Sequence, residues 1–414
     1  MLDSVLLAVL SNRNRFKALA SAVPIDEVGT STKWLINSFK SYFDKHPKVQ
    51  DVDYDVLSTM VRLKLDGDAA TPALKIIEEA RSIKATPDQQ KMVTETLYEM
   101  ALAGTAAKLV NEYHDGGEID LSYELYRRAM ETRKLLGTSM ESMFKDPDIH
   151  DILEEQKRDD GLKFRQLALQ THVKGLMPPL SIAVCAPVDA GKTSFLADAL
   201  TYMAPQCEAL FPKRPIIWLS NEGVVREIWP RVYSSALGMS GDKLVEFSRD
   251  ELFNKYSDAI GGDRRKIKLL DVHGWSLSQV ASLVEEMEPI IVVFDMLANF
   301  KLPGVEKKHE KMEALFQEVR EMAALHNFIA ISTVQLSAEG YDMLYPPGTA
   351  LKDTKIGVQG ALDIQLMIGR LNDAAYELTR GFSLPKNKRK VIGKPGNMQA
   401  EVIFNPDIAR FIDN

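Results

Sequence analysis

The chain has 414 residues, 45% of them apolar and 26% charged, which is enough for real cores and long enough for two domains. With 51 basic against 58 acidic residues the formal charge is −7, which excludes a global attraction to nucleic acid and confines any such binding to local patches. Only Cys185 and Cys207 are present, too few for a disulfide scaffold or a four-ligand zinc site. With no apolar run of 18 residues and no basic start of a signal peptide, a soluble, cytoplasmic protein without a membrane partner is expected.

From Met1 to about Met143 the pattern is helical. Val5, Leu6, Val9 and Leu10 begin one face, and Trp34, Leu35, Phe39, Tyr42 and Phe43 form another at three- and four-residue spacing. Thr71-Pro72 reads as a helix start, and further helices are expected over Asp88 to Tyr113 and Leu121 to Leu136. No catalytic constellation occurs here, and His46 and His114 read as surface residues. Residues 1–144 are therefore expected to be an all-α assembly or partner-binding domain. Residues 145–174, with E-E-Q-K-R-D-D at Glu154 to Asp160, read as a charged linker, and a solvated surface helix fits the same charges.

The stretch L-S-I-A-V-C-A-P-V-D-A-G-K-T-S-F-L-A-D-A-L, Leu180 to Leu200, reads as strand, loop and helix. That is the context of a phosphate-binding loop, in which backbone N–H groups and a helix N-terminus wrap polyphosphate. Ala186, Pro187, Val188, Asp189, Ala190, Gly191, Lys192, Thr193 and Ser194 are the candidate contacts to ATP or another nucleoside triphosphate. Lys192 would reach the β/γ-phosphates and Thr193 would hold Mg²⁺. Downstream, apolar runs at Pro215 to Ser220, Ile267 to Asp271, Pro289 to Asp295, Phe328 to Val334 and Asp363 to Gly369 alternate with amphipathic helices. Residues 175–414 are thus expected to be an α/β domain with a mostly parallel sheet flanked by helices. Asp295 ends a hydrophobic strand, where a Walker B carboxylate would order Mg²⁺ or its waters, although an aspartate there also caps turns. Met296 follows it, so the group that polarises water is sought elsewhere. Glu222 in W-L-S-N-E-G, just past another strand, is the best candidate, an acidic residue at a helix start being the simpler alternative.

From about Gly161 onward these residues resemble the DnaB-type hexameric replicative helicases, especially short phage members, with a fainter resemblance in the N-terminal region. A-P-V-D-A-G-K-T looks like the family phosphate loop A-R-P-S-M-G-K-T, in which Ala186 is a family mark. W-L-S-N-E-G is similar to the S-L-E motif, which implies catalysis by Glu222. I-A-I-S-T-V-Q-L-S is similar to S-Q-L, which implies a γ-phosphate sensor at Gln335. L-K-D-T-K-I-G-V-Q-G-A-L-D resembles the DNA-contacting loop, and K-N-K-R-K stands where the family's K-x-R-N-G supplies an arginine finger to a neighbour. The finger is Lys388 in one register and Arg389 in the next; a planar guanidinium suits a phosphate fork better, which favours Arg389.

The resemblance implies a RecA-like motor behind a helical collar: a homo-hexameric, ATP-driven helicase on single-stranded DNA with primase, loader or other replisome partners. The alternatives are a RecA-class recombinase-like ATPase and a non-motor nucleotide-binding loader or scaffold. The scarcity of cysteine argues against a fused zinc-binding primase domain. The candidate DNA-gripping stretch runs from Tyr345 to Gly360, where prolines and glycines surround Lys352, Lys355 and Gly357.

Overall fold

A computed structural model describes residues 2–20, 23, 28–83, 87–136, 148–302, 308–351 and 356–414. The chain divides into two compact units, Met1–Asp146 and Pro147–Asn414.

The first unit is helical throughout its described residues. Helix Thr30–Lys45 buries Leu35, Phe39, Tyr42 and Phe43 of the face read from the sequence, together with Ile36, while Trp34 is half-buried. Helices Leu2–Leu10, Tyr54–Lys64 and Gly67–Ser82 bring Leu7, Leu10, Leu57, Val61 and Ile77 into the same core. A fully buried side chain such as Phe39 stabilises this core by roughly 1.5–3 kcal/mol relative to exposure. Arg13 closes the end of Thr30–Lys45 by donating to the carbonyls of Phe43 (2.9 Å), Val49 (2.6 Å) and His46. His46 and His114 are exposed. Helices Pro87–His114 and Leu121–Leu136 pack against each other across a turn at Gly116. One expectation fails: Thr71-Pro72 does not start a helix. The helix begins at Gly67 after Asp66, whose carbonyl receives the Ala69 and Ala70 N–H groups, and Pro72 lies inside it.

The second unit is built on one nine-stranded sheet. Its strands are β1 (Leu180–Ala186), β2 (Ile216–Ser220), β3 (Ile267–Asp271), β4 (Ile291–Asp295), β5 (Ile329–Gln335), β6 (Ile364–Gly369), β7 (Thr379–Asn387), β8 (Gln399–Asn405) and β9 (Arg410–Asp413). The spatial order is β3-β2-β4-β5-β1-β6-β7-β8-β9. The first six strands in that order are parallel, and β7, β8 and β9 extend the sheet antiparallel. Every residue of β1, β2, β4 and β6 is buried, which is why these strands read as continuous apolar runs. This is the mostly parallel, RecA-like α/β sheet expected, in a chain whose N-terminal unit forms helices in its described residues.

Leu162, Phe164, Leu169, Val173 and Leu176 are buried in the core of this unit, and Leu162 pairs with Leu176. The later part of the segment read as a linker is therefore structural, because four of these apolar side chains, Leu162, Phe164, Leu169 and Val173, point inward among its charges. β7 was not anticipated, since it contains Gly381 and Pro385. Pro385 falls where the β6–β7 register shifts between Gln365 and Met367, a position that tolerates a residue without an N–H.

The segment after β5 folds back over β6 and β7. Leu336 pairs with Leu351, Met343 pairs with Arg370, and Gln365 Nε2 donates to the Gly348 carbonyl at 2.9 Å. A Cβ on either Gly369 or Gly381 would collide with the Leu344 carbonyl, so glycine is needed at both. Among the described residues no helix is long and apolar enough to cross a membrane.

Candidate functional site

Parallel strands deliver their last residues to one edge, and ligands of such sheets bind there. Ala186 of β1 stands opposite Gln335 of β5, and Ser220 of β2 opposite Asp295 of β4. This register brings four distant segments together: the loop after β1, Glu222 two residues past β2, Asp295 ending β4 and Gln335 ending β5.

The loop from Pro187 to Gly191 runs into helix Lys192–Leu210. Gly191 caps that helix at φ 95°, and a Cβ there would press on the Phe411 and Phe404 rings at 3.1 and 3.3 Å. The first turn of the helix leaves backbone N–H groups for an anion. Arg370 Nη1 donates to the Asp189 carbonyl (3.0 Å) and Arg380 Nε to the Ala190 carbonyl (2.9 Å).

A cleft of about 430 Å³ lies over this loop, within the range of small-ligand sites. Pro187, Val188, Asp189, Gly191, Lys192, Thr193 and Ser194 line it, together with Glu222, Gln335, Arg231, Phe404 and Pro406. Ala186 and Ala190 are buried behind it. Lys192 Nζ lies 3.7 Å from Glu222 Oε2 and 3.1 Å from Met296 Sδ. The Glu222 side chain is 55% exposed, so water reaches it. Gln335 Nε2 donates to the Tyr341 hydroxyl at 3.3 Å.

Asp295 is buried. Its Oδ1 accepts from the Thr333 hydroxyl at 2.7 Å and its Oδ2 from Trp218 Nε1 at 3.2 Å. Burial pushes its carboxyl above the usual range, against the pull of the Thr333 hydroxyl and the Lys192 charge. Among the described residues no group of three or more His, Cys, Asp or Glu is placed to hold a metal ion by itself. A Mg²⁺ ion here suits the sparse set of Thr193 and Asp295, because Mg²⁺ keeps waters and takes phosphate oxygens as its other ligands. Cys185 and Cys207 are buried free thiols pushed up to about 12 by burial and take no part.

Lys388 and Arg389 do not reach this cleft. Asn387 pairs with Ile364 at the start of β6, so both lie at the opposite edge of the sheet. Lys388 Nζ is 3.1 Å from Asp363 Oδ1, and Arg389 Nη2 donates to the Gly175 carbonyl at 3.1 Å. Lys352 and Lys355 lie outside the described residues; Gly357 sits in a short 3₁₀ turn, Ile356–Ala361, ahead of β6.

Arg231, Phe404, Arg370 and Arg380 were missed. Arg231 is on helix Val225–Leu237 and has a sequence signal, since that helix follows Glu222 directly. Phe404 and Arg380 come from the antiparallel extension, and nothing local marks them as neighbours of the loop.

Residues 150–340 match the family model of an AAA domain. No curated protein matches the chain in sequence. A solved DnaB-like replicative helicase, described with its interactions with primase, superposes with a TM-score of 0.63 at 17% identity, covering 100% of this chain and 98% of that one. A second solved structure, an isolated ATPase domain, superposes with a TM-score of 0.52 at 17% identity, covering 64% of this chain and 95% of that one. The chain therefore has the fold of the DnaB-type helicases.

Proposed function

We propose that the protein is an ATP-driven replicative DNA helicase that acts as a homo-hexameric ring, translocates on single-stranded DNA and unwinds duplex. The observation that carries this reading is the convergence of Lys192, Thr193, Glu222 and Gln335 on one cleft over the loop, with Asp295 at the adjacent strand end. Lys192 neutralises the β/γ-phosphates and Glu222 polarises the attacking water. Thr193 and Asp295 would hold Mg²⁺, which would supply neutralisation of phosphate charge. Gln335 senses the terminal phosphate at the root of the segment that leads to Lys352, Lys355 and Gly357, the proposed grip on DNA.

The distance of Lys388 and Arg389 from their own cleft supports a role in a neighbour's site, which a closed ring provides. Arg389, or Lys388, is then the finger in trans. A primase is the partner class suggested by the similar structure; a loader and other replisome proteins are further candidates, in a cytoplasmic setting.

Steady-state ATP turnover with and without single-stranded DNA, combined with electron micrographs of the nucleotide-bound protein, tests this reading. DNA-stimulated turnover by closed rings is expected. Filaments would favour a recombinase-like ATPase, and nucleotide binding without turnover would favour a loader or scaffold.

A further inference from the structure

Arg380 belongs to β7, outside the parallel strands, yet its guanidinium is built into the back of the loop. The residue is 4% exposed. Nε donates to the Ala190 carbonyl at 2.9 Å, Nη1 donates to the carbonyls of Glu377 and Thr379 at 2.7 and 2.8 Å, and Cζ stands 5.2 Å over the Phe404 ring. Among the described residues no carboxylate forms a direct ion pair with it, although the Glu377 carboxylate favours its charge and Arg370 opposes it. A buried cation without a bonded counter-ion is costly unless something else compensates it. Carbonyl dipoles compensate it in part, and an anion on the far side of the loop would complete the compensation.

The bond also sets a direction. In a trans peptide the carbonyl and the following N–H point opposite ways. With the Ala190 carbonyl held toward Arg380, the Gly191 N–H points away from it, and no acceptor meets that N–H among the described residues. Gly191 lines the cleft. The preceding peptide is held in the same manner by Arg370, while the Ala190 N–H is turned inward to the Pro187 carbonyl at 3.4 Å. One donor is thus retained for the turn and the next presented to a ligand.

We infer that Arg380 is a positioning residue for the polyphosphate chain: it locks the Ala190–Gly191 peptide so that the Gly191 N–H faces the ligand, and places a partly compensated positive charge behind that donor. The inference rests on the nucleotide-binding part of the proposed function and goes beyond the Lys192 contact. Because the arrangement exists before ligand arrives and favours ground and transition states alike, its loss raises KM and leaves kcat.

Inorganic tripolyphosphate without metal is the probe, measured by calorimetry on the full-length protein. Arg380→Gln should bind it about tenfold more weakly, the scale of one charge-assisted hydrogen bond, with ATP KM raised by a similar factor and kcat within about twofold. Wild-type affinity for tripolyphosphate in Arg380→Gln would overturn the inference, as would a lower kcat at unchanged KM. Should Arg380→Gln fail to fold, Arg380→Lys carries the test. It keeps the charge but cannot span the Ala190, Glu377 and Thr379 carbonyls together, so a smaller loss of the same sign is expected and wild-type affinity again overturns it. A wild-type protein that binds tripolyphosphate without hydrolysing ATP would remove the motor reading, while the affinity comparison still decides the role of Arg380.

Discussion

The ammonium of Lys192 and the carboxylate of Glu222 stand 3.7 Å apart in one cleft, an ion pair between the phosphate loop after β1 and the loop after β2, three places along the sheet. On the proposed function, a triphosphate entering the cleft would compete with Glu222 for Lys192 and release the carboxylate toward water. Binding and base activation would then be coupled through a single ion pair.

That coupling separates two substitutions. Lys192→Ala should nearly abolish nucleotide binding, since it removes the cation facing the phosphates. Glu222→Gln should keep binding and lose turnover by about 10²–10⁴-fold, the usual contribution of a general base. Equilibrium binding and steady-state hydrolysis measure the two effects; wild-type turnover in Glu222→Gln would exclude it as the base.

A second prediction follows from the buried carboxylate. Asp295 has its folded-state pKa raised by burial, so it takes up a proton earlier than a free carboxyl as pH falls. Mg²⁺-dependent hydrolysis should decline on the acid side as that proton binds. The Thr333 hydroxyl holds the value down, so Thr333→Val should move the acid limb to higher pH. The sign for stability agrees: a carboxyl with a raised folded pKa makes the ligand-free chain less stable as pH rises from the ordinary value through the raised one. An acid limb of kcat/KM that stays in place in Thr333→Val would remove Asp295 as its origin.

Assembly is tested by mixing subunits. Lys388→Ala and Arg389→Ala should each be assayed alone and mixed with Glu222→Gln. The finger variant should lose about 10³-fold or more in turnover alone and recover part of it in mixed rings, where one subunit supplies the finger and its neighbour the base. Full activity in a monomer would rule the arrangement out.

For DNA, Lys352→Ala combined with Lys355→Ala should weaken single-stranded DNA binding similarly across sequences. The slope of log K against log salt should fall by about 2, one for each phosphate that the variant leaves without its lysine. Basal hydrolysis should persist. An unchanged salt slope with rings intact would put the DNA path elsewhere.

The parts of the fold that were legible in the sequence are those governed by burial on both faces. β3 matches its expected bounds, while β1, β2, β4, β5 and β6 lie within two residues of theirs, because buried parallel strands are unbroken apolar runs that stop where turn chemistry starts. Lys192, Glu222 and Asp295 stand out for a related reason, since each follows or ends such a run; Gln335 stands out only by the resemblance of its motif, and parallel register carries all four to one edge. β7 escaped because Gly381 and Pro385 contradict strand propensity while a register shift accommodates them. Arg380 escaped because its meeting with Ala190 spans 190 residues and depends on the antiparallel return of the chain. At Thr71-Pro72 the local signal did not decide the start, and the helix begins earlier, at Gly67, with Pro72 inside it.

The carbonyl of Leu344 lies against both Gly369 and Gly381, main chain against main chain across neighbouring strands. With no side chain between them, there is nothing to trim or repack when a substitution arrives. In a saturation library scored for ATP turnover, both positions should admit glycine alone, and Gly381→Ala should fail as completely as a bulkier replacement. Intolerance of that kind would be the genetic trace of a junction formed from backbone.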